Sequence, residues 1–424
     1  MNVADSQRID LSLERMGLDR TENIETADVV VLNTCVVRQS AEDTATGLLG
    51  RLNKVKGDDP SRVIAVMGCM VGPDQRELRQ RFPYVDVWAR PQEFQPIIDT
   101  VGARTGMSTE GCLANLTPQH PDVTTFVPIV HGCDKFCTFC IIPYRRGREM
   151  SRPLNELVDE VTRLTERGVK EVTLLGQNVD SYGHDLQPRV DLADLLERVN
   201  DIPAIERIRF LTSHPNDMSR RIIRAIADLP KVCENVNLPF QAGDDRILAE
   251  MRRGYTRGQF LERVEEIRDT IPGVTLTTDL IVGFPGESEA EFEQSLQVLE
   301  QVRFDKVHSA AYSERNGTYA SRRMPDTVSR EDKKRRLRTV DDLQAQIQSQ
   351  INADLLGLEF DILVDGETRG RLRGRTRGDK LVYLTGGGPA LGETVSVGIT
   401  GASPWSLEGD LRATQSQKEL VLTK

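Results

Sequence analysis

The chain has no apolar run approaching the length that crosses a membrane, and its start, MNVADSQRID, is no signal peptide. A reducing cytoplasm is therefore the expected compartment, with no membrane partner. An even cysteine count is also missing. Seven cysteines behind no leader exclude a disulfide framework, and thiols kept reduced remain available for metal. Net positive charge is absent as well: 55 Lys and Arg against 65 Asp and Glu leave a formal charge of -10. Such a chain is not coated for nucleic acid, although local basic stretches override a global count. The 424 residues allow roughly two to four domains, each with its own core.

A fourth cysteine is missing where it would matter most. Three cysteines fall within His131-Gly132-Cys133-Asp134-Lys135-Phe136-Cys137-Thr138-Phe139-Cys140, and no other lies nearby. Iron-sulfur clusters normally take four cysteines, so a cubane on Cys133, Cys137 and Cys140 leaves one iron open to a substrate or cofactor. A structural zinc is the alternative. It usually needs four Cys or His ligands, and His131, two residues before Cys133, is too cramped to be an ideal fourth. The spacing CxxxCxxC, with Phe139 directly before the last cysteine, continues as GCDKFCTFCIIPYRRGREMSRP. It resembles the radical SAM enzymes, and among them the methylthiotransferases.

From Met1 to about Pro118 the pattern alternates strands and helices. Ala27–Thr34 and Val63–Gly68 are β-branched runs that read as buried strands of a Rossmann-like parallel sheet. Each strand ends in a cysteine, Cys35 or Cys69. Residues just past the carboxyl ends of such strands line a ligand crevice, so the two thiols could share a metal; a lone buried cysteine would otherwise be structural. NTCVVR and GCM resemble the segments that hold a second 4Fe-4S cluster in methylthiotransferases. The resemblance implies a third ligand in a GCQMN-type segment before the first helix, and the chain, starting MNVADS, matches only the residues after that cysteine. With two of three thiolates, it is expected to hold its second cluster weakly, through either a late start or real loss of the site.

The stretch TPQHPDVTT reads as a linker. Beyond it, Phe126–Val130, Glu171–Gly176, Arg207–Thr212, Asn235–Pro239, Val274–Val282 and Lys306–Tyr312 read as strands. Amphipathic helices such as Leu154–Arg167, Met218–Ala227 and Glu289–Val302 fall between them. Six strands with helical crossovers predict a partial parallel barrel, with its site at the carboxyl ends. Those ends carry Gln177, Asn178, Ser213, Gln241, Asp279 and Gly283. By resemblance, LLGQNVDSYG meets the methionyl amino group of S-adenosylmethionine and TDLIVGFPGE flanks its adenine, while NLPFQAGDDRIL, MRRGYT and YSERNGT extend the match. Phe139 is assigned to the same cofactor.

Two basic runs remain, SREDKKRRLR (Ser329–Arg338) and GETRGRLRGRTRGDK (Gly366–Lys380), each with six Lys and Arg against two acids. A run of this kind usually marks only a solvated face. The second lies among short alternating strands bounded by glycine turns, a small β-barrel pattern that resembles the TRAM domain, a tRNA-binding module. Arg371, Arg373, Arg375, Arg377 and Lys380 are expected to meet tRNA phosphates. Cys112 and Cys233 have no ligand-like neighbours and read as ordinary thiols. The resemblance implies an α/β enzyme of three parts: a methylthiotransferase domain at 1–118, a radical SAM barrel at 119–356 and a TRAM domain at 357–413, with a tail at 414–424. Its activity would be methylthio transfer to carbon 2 of N(6)-dimethylallyladenosine beside the anticodon of tRNA. GQNVDSYG and RIRFLTSHPNDMS favour that branch over one acting on threonylcarbamoyl-adenosine; a tRNA-binding protein that has lost thiotransfer is the remaining alternative. Cofactors would be a 4Fe-4S cluster, a second one in doubt, and S-adenosylmethionine. Partners would be tRNA and an electron-donor protein, with a monomer expected.

Overall fold

In the computed structural model all residues are described except 36–38, 115, 119, 120 and 413–424, together with the side chains of 39, 40 and 58. The expected tail and the last residue of the expected TRAM range lie outside the described residues.

Near the start, Val29–Thr34, Val63–Gly68 and Val87–Ala89 form a parallel sheet in that order. Every residue of the middle strand is buried, as a strand covered on both faces requires. The third strand, only Val-Trp-Ala, is too short to show a period and escapes the sequence reading. Helices Asn2–Arg15, Gln39–Asp58 and Gln95–Thr105 flank the sheet. Its first two strands meet closely because residue 68 is glycine. At φ +96°, a Cβ there would lie 2.4 Å from the Thr34 carbonyl oxygen and 2.6 Å from Asn33 Oδ1, so no side chain fits. The Cys69 amide then donates to the Thr34 carbonyl at 3.0 Å, which sets the two cysteine-bearing strand ends side by side.

Six parallel strands come next: Thr124–Pro128, Glu171–Leu175, Arg207–Leu211, Asn235–Asn237, Thr275–Val282 and Lys306–Ala311. They pair as two triplets in sequence order, and a parallel bridge between Ile208 and Val232 joins the triplets into an open barrel. Helices such as Leu154–Glu166, Arg220–Asp228 and Glu289–Val302 cover the outside. Ser288 starts the last of these with a reciprocal cap, its hydroxyl accepting from the Glu291 amide while the Glu291 carboxylate accepts from the Ser288 amide. The core is apolar throughout, with Phe240 stacked 5.9 Å from Phe304.

A closed five-stranded barrel completes the described chain: Glu359–Thr368, Arg371–Arg375, Leu381–Leu384, Leu407–Leu411 and Thr394–Ala402, in spatial order. It packs against the amino ends of the central strands. Arg207 donates to the carbonyls of Arg375 and Asp361 at 2.5 and 3.0 Å, and Arg209 to those of Arg377 and Thr376 at 2.6 and 2.7 Å. Arg209 also pairs with Glu171 at 3.1 Å, both side chains 5% exposed. The basic run of Ser329–Arg338 is solvated only in part: Arg330, Lys334, Arg335 and Arg338 are exposed, while Lys333 and Arg336 are buried. It lies on helix Arg330–Ala353, where Arg336 is buried against Glu287 at 2.8 Å and Arg335 meets Glu289 at 2.8 Å. The run thus clamps the GFPGE turn, because acidic residues of that turn face the helix.

Among the described residues no helix is long and apolar enough to cross a membrane. The seam between the barrels yields a test. Arg209→Met leaves Glu171 buried without its partner, which costs about 3–5 kcal/mol. Urea unfolding should show that loss, and proteases should cut around residues 353–358 as the small barrel loosens; unaltered stability would contradict the assigned role of the pair.

Candidate active site

The three-cysteine segment leaves the first barrel strand through a short pairing of Val130–His131 with Met150–Ser151. It is pinned by backbone. The Thr138 amide donates to the Met251 carbonyl at 3.1 Å, Thr138 Oγ1 to the Glu250 carbonyl at 2.8 Å, and the Ala320 amide to the Thr138 carbonyl at 2.9 Å. The Cys140 amide donates to the Cys137 carbonyl at 3.0 Å, so the chain doubles back between two of the thiols. Burial pushes the Cys133 thiol up to about 11 and, with Cys137 adding to it, Cys140 up to about 12. His131 is no ligand candidate here: its Nδ1 faces the Gln92 amide, and burial lowers it to about 3. Among the described residues no three His, Cys, Asp or Glu side chains converge on a single metal ion. A cubane suits such spacing better than zinc, because each thiolate binds its own iron.

The other strand ends close around this loop. Gln177 and Asn178 follow the second strand, Ser213 and His214 the third, Gln241 the fourth and Gly283 the fifth, while Asp279 stands on the strand face of Thr275 and Thr277. Three polar atoms buried at these ends lack any protein partner: Gln177 Oε1, Asn178 Oδ1 and His214 Nε2. Native interiors seldom leave such atoms unpaired, and here they suit a polar ligand. Four non-glycine residues with left-handed backbone also gather here, Phe136 at φ 48°, Thr212 at 76°, Gln241 at 69° and Arg252 at 57°. Strain of this kind persists where the surrounding fold enforces it, and for branched Thr212 it is pronounced. Phe139 is partly buried against the barrel core. Ser213 points inward, its hydroxyl donating to Asp180 at 2.9 Å, so it fixes the loop rather than facing the crevice. Gly283, at φ +69°, has the Lys333 side chain 2.4 Å from where a Cβ would lie.

Several residues of the site escape the sequence reading. Lys135 meets Asp217 at 2.6 Å, and Asp217 also accepts from Asn178 at 2.6 Å, which links the cysteine loop to two strand ends. Burial raises the Asp180 carboxyl to about 7 despite bonds from the His214 amide and Ser213. Burial first, then Arg253 and Lys135, holds His214 neutral, down to about 2. Arg253 donates to Cys137 Sγ at 3.4 Å. All lie in segments that carry the resemblance, yet nothing in their spacing marks them.

The second cysteine pair faces the same assembly. Cys69 is buried and its thiol is raised by that burial, while the nearby charge of Arg146, five residues after Ile141, opposes the rise. Arg146 in turn pairs with Asp5 at 3.3 Å and donates to Asn2 Oδ1 at 3.0 Å. Cys35 is half-buried and close enough to Cys69 to raise it further. Cys112 and Cys233 are buried apart from both groups.

On the small barrel Arg371, Arg373 and Arg375 alternate along one strand and share its outer face. Their partners are Glu408 at 3.0 Å, Asp365 at 3.4 Å, and Asp365 and Asp379 at 3.5 and 3.0 Å, with over a third of each side chain exposed. Arg377 and Lys380 depart from the expectation that all five basic residues face RNA. They turn into the seam, Arg377 to Glu234 at 2.6 Å and Lys380 to Asp305 at 2.7 Å, because acids at the barrel's amino end await them.

The raised thiols predict a pH dependence. Cys133 and Cys140 hold their protons at neutrality; were they to ligate iron, as their spacing leads one to expect, they would have to release them, so binding would strengthen as pH rises toward 11 and weaken as it falls. Each unit below the thiol pKa costs about 1.4 kcal/mol per ionising thiol. Iron retained against a chelator should drop sharply from pH 8.5 to 6.5, and a flat profile would contradict this. Cys137→Ala should lose the iron of one cluster at every pH.

Residues 127–299 match the radical SAM superfamily, residues 1–90 the uncharacterized protein family UPF0004, and residues 355–411 the TRAM domain. Along nearly its whole length the chain is similar to tRNA-2-methylthio-N(6)-dimethylallyladenosine synthases. It is 43% identical to that of Herpetosiphon aurantiacus over 97% of this chain and 95% of the other. Identity to the Dehalococcoides mccartyi (strain 195) protein is 46%, over 97% and 96%. Among solved structures, the radical S-adenosylmethionine methyltransferase TsrM of Kitasatospora setae shares the fold at a TM-score of 0.50 and 13% identity, over 71% of this chain and 64% of that one. The chain belongs to the radical SAM family of tRNA-2-methylthio-N(6)-dimethylallyladenosine synthases.

Proposed function

We propose that the chain adds a methylthio group to carbon 2 of N(6)-dimethylallyladenosine in tRNA, beside the anticodon. The observation that supports this reading is the position of Arg146: it ends the short helix just after the three-cysteine loop and pairs with Asp5 and Asn2 close to Cys69, so the two thiol groups would border one crevice. Cys133, Cys137 and Cys140 would hold the radical cluster, and Cys35 and Cys69 would ligate a second. When bound, the cluster and S-adenosylmethionine supply the electron and the radical that open an unreactive C–H bond. The remaining work falls to the protein. Gln177, Asn178, Gln241, Asp279 and Gly283 line the place of S-adenosylmethionine, with Phe139 packed beneath. Lys135, Asp217, Asp180 and Ser213 hold those strand ends in register, so the cofactor meets preset groups and no reorganisation is needed at the moment of reaction.

The small barrel would be the handle for tRNA. Arg371, Arg373 and Arg375 can exchange their carboxylate partners for phosphates; Arg377 and Lys380 are committed to the seam. The barrel sits at the amino ends of the central strands and the crevice at their carboxyl ends, roughly 20 Å away for strands of this length. A folded RNA arm spans that distance. Unpaired bases of its loop would enter the crevice, since proteins read RNA sequence chiefly from unstacked bases. The division into 1–118, 119–356 and 357–413 serves this reading, with an electron-donor protein as a further partner. The relatives favour neither threonylcarbamoyl-adenosine nor tRNA binding without thiotransfer, the latter resting only on the two-thiolate set of Cys35 and Cys69.

Two measurements test the proposal. Nucleoside analysis of tRNA from cells with and without the protein should show the 2-methylthio form of the prenylated adenosine only when the protein is present. Replacing Arg371, Arg373 and Arg375 by glutamine should weaken tRNA binding and flatten its salt dependence by about one unit of slope per lost phosphate contact. Equal affinities across a salt series would remove the small barrel from the RNA interface.

A further inference from the structure

Arg253 is buried, 6% exposed, yet among the described residues it has no carboxylate partner. Its Nε donates to Tyr255 Oη at 3.0 Å, one terminal nitrogen to the Pro239 carbonyl at 3.0 Å, and the other to Cys137 Sγ at 3.4 Å. The Tyr255 ring lies 5.4 Å from the guanidinium carbon and His214 meets that ring edge-on at 5.8 Å. Burial holds His214 neutral, so it supplies no counter-charge to the guanidinium. A buried ion without a counter-ion costs several kcal/mol, and arginine cannot shed its proton to escape that cost. Arg146 offers the contrast: it too lies near a cysteine, Cys69, but it is paired with Asp5.

The contact with Cys137 is held from both sides. Thr138, next to the cysteine, is hydrogen-bonded to Glu250 and Met251, which lead directly into Arg253. We propose that Arg253 is the resident counter-charge of the three-cysteine site and that, through Cys137, it raises the reduction potential of the cluster bound there. A cluster on three thiolates is anionic, and each electron it accepts adds one negative charge. A fixed cation beside one ligand sulfur favours the reduced form, since net charge and hydrogen bonds to the sulfurs set such potentials. The inference rests on the reading of Cys133, Cys137 and Cys140 as cluster ligands and adds a residue that tunes them.

The test uses the full-length chain carrying Cys35→Ala and Cys69→Ala, so that one cluster remains, reconstituted anaerobically with iron and sulfide. A redox titration against dithionite, followed by electron paramagnetic resonance, gives its midpoint. Arg253→Gln should shift the reduction equilibrium at least tenfold toward the oxidised form, about 59 mV downward for one electron. Arg253→Lys, which keeps the charge, should restore most of the shift. A glutamine variant that loads fully and titrates at the parent midpoint overturns the proposal. Should that variant fail to load iron, the lysine variant decides. Loading at the parent midpoint supports a role for charge, whereas failure of lysine to load shows that packing alone is at stake and overturns it. If the parent itself holds no cluster and makes no deoxyadenosine, the ligand assignment fails instead, a result distinct from an unchanged midpoint.

Discussion

The site depends on how one loop is tethered. The segment from Cys133 to Cys140 has too little apolar surface to fold by its own packing, and Phe136 within it adopts a left-handed conformation that costs energy. Three hydrogen bonds around Thr138 tie it to Glu250, Met251 and Ala320, which belong to parts of the barrel far along the chain. Each such bond contributes only about 1 kcal/mol net, but together they leave the loop one arrangement. Positions of the thiols and the reach of Arg253 to Cys137 depend on that tether.

The two ends of the central barrel are built for different tasks. At the carboxyl ends, glycines, strained backbone and unpaired polar atoms leave groups exposed to a ligand. At the amino ends, Arg207, Arg209, Arg377 and Lys380 direct their donors to carbonyls and carboxylates across the seam to the small barrel. Buried charged contacts of this sort gain little net stability, but their geometry is demanding and fixes orientation. A rigid seam keeps the basic face of Arg371, Arg373 and Arg375 in a constant relation to the crevice.

Arginine carries much of the electrostatics at both thiol groups. Arg253 places its guanidinium on the Cys137 sulfur and Arg146 lies near Cys69, the latter balanced by Asp5 and the former unbalanced among the described residues. In a low-dielectric interior such a difference persists, because water does not screen it. The two cysteine groups therefore differ in local field although they are the same residue type.

Much of this architecture was legible in the order of residues. The cysteine spacing marked the loop that leaves the first barrel strand, β-branched runs marked the barrel strands to within a few residues, and glycine-bounded alternation marked the small barrel. Such features are local: a period of two, a run of buried residues or a three-residue gap is written in neighbouring positions. Where Cys35 meets Cys69 could be inferred only from strand ends, and the closeness itself required Gly68 to admit the Thr34 carbonyl. Charge runs gave no guide to their partners, so Lys333 and Arg336 read as part of a solvated run, and Arg377 and Lys380 as RNA contacts, until acids on other segments came to face them. Arg253 shows the limit most plainly. It lies 116 residues from Cys137, and only the folded barrel, by removing both from water together, turns an ordinary arginine into the charge beside the metal site.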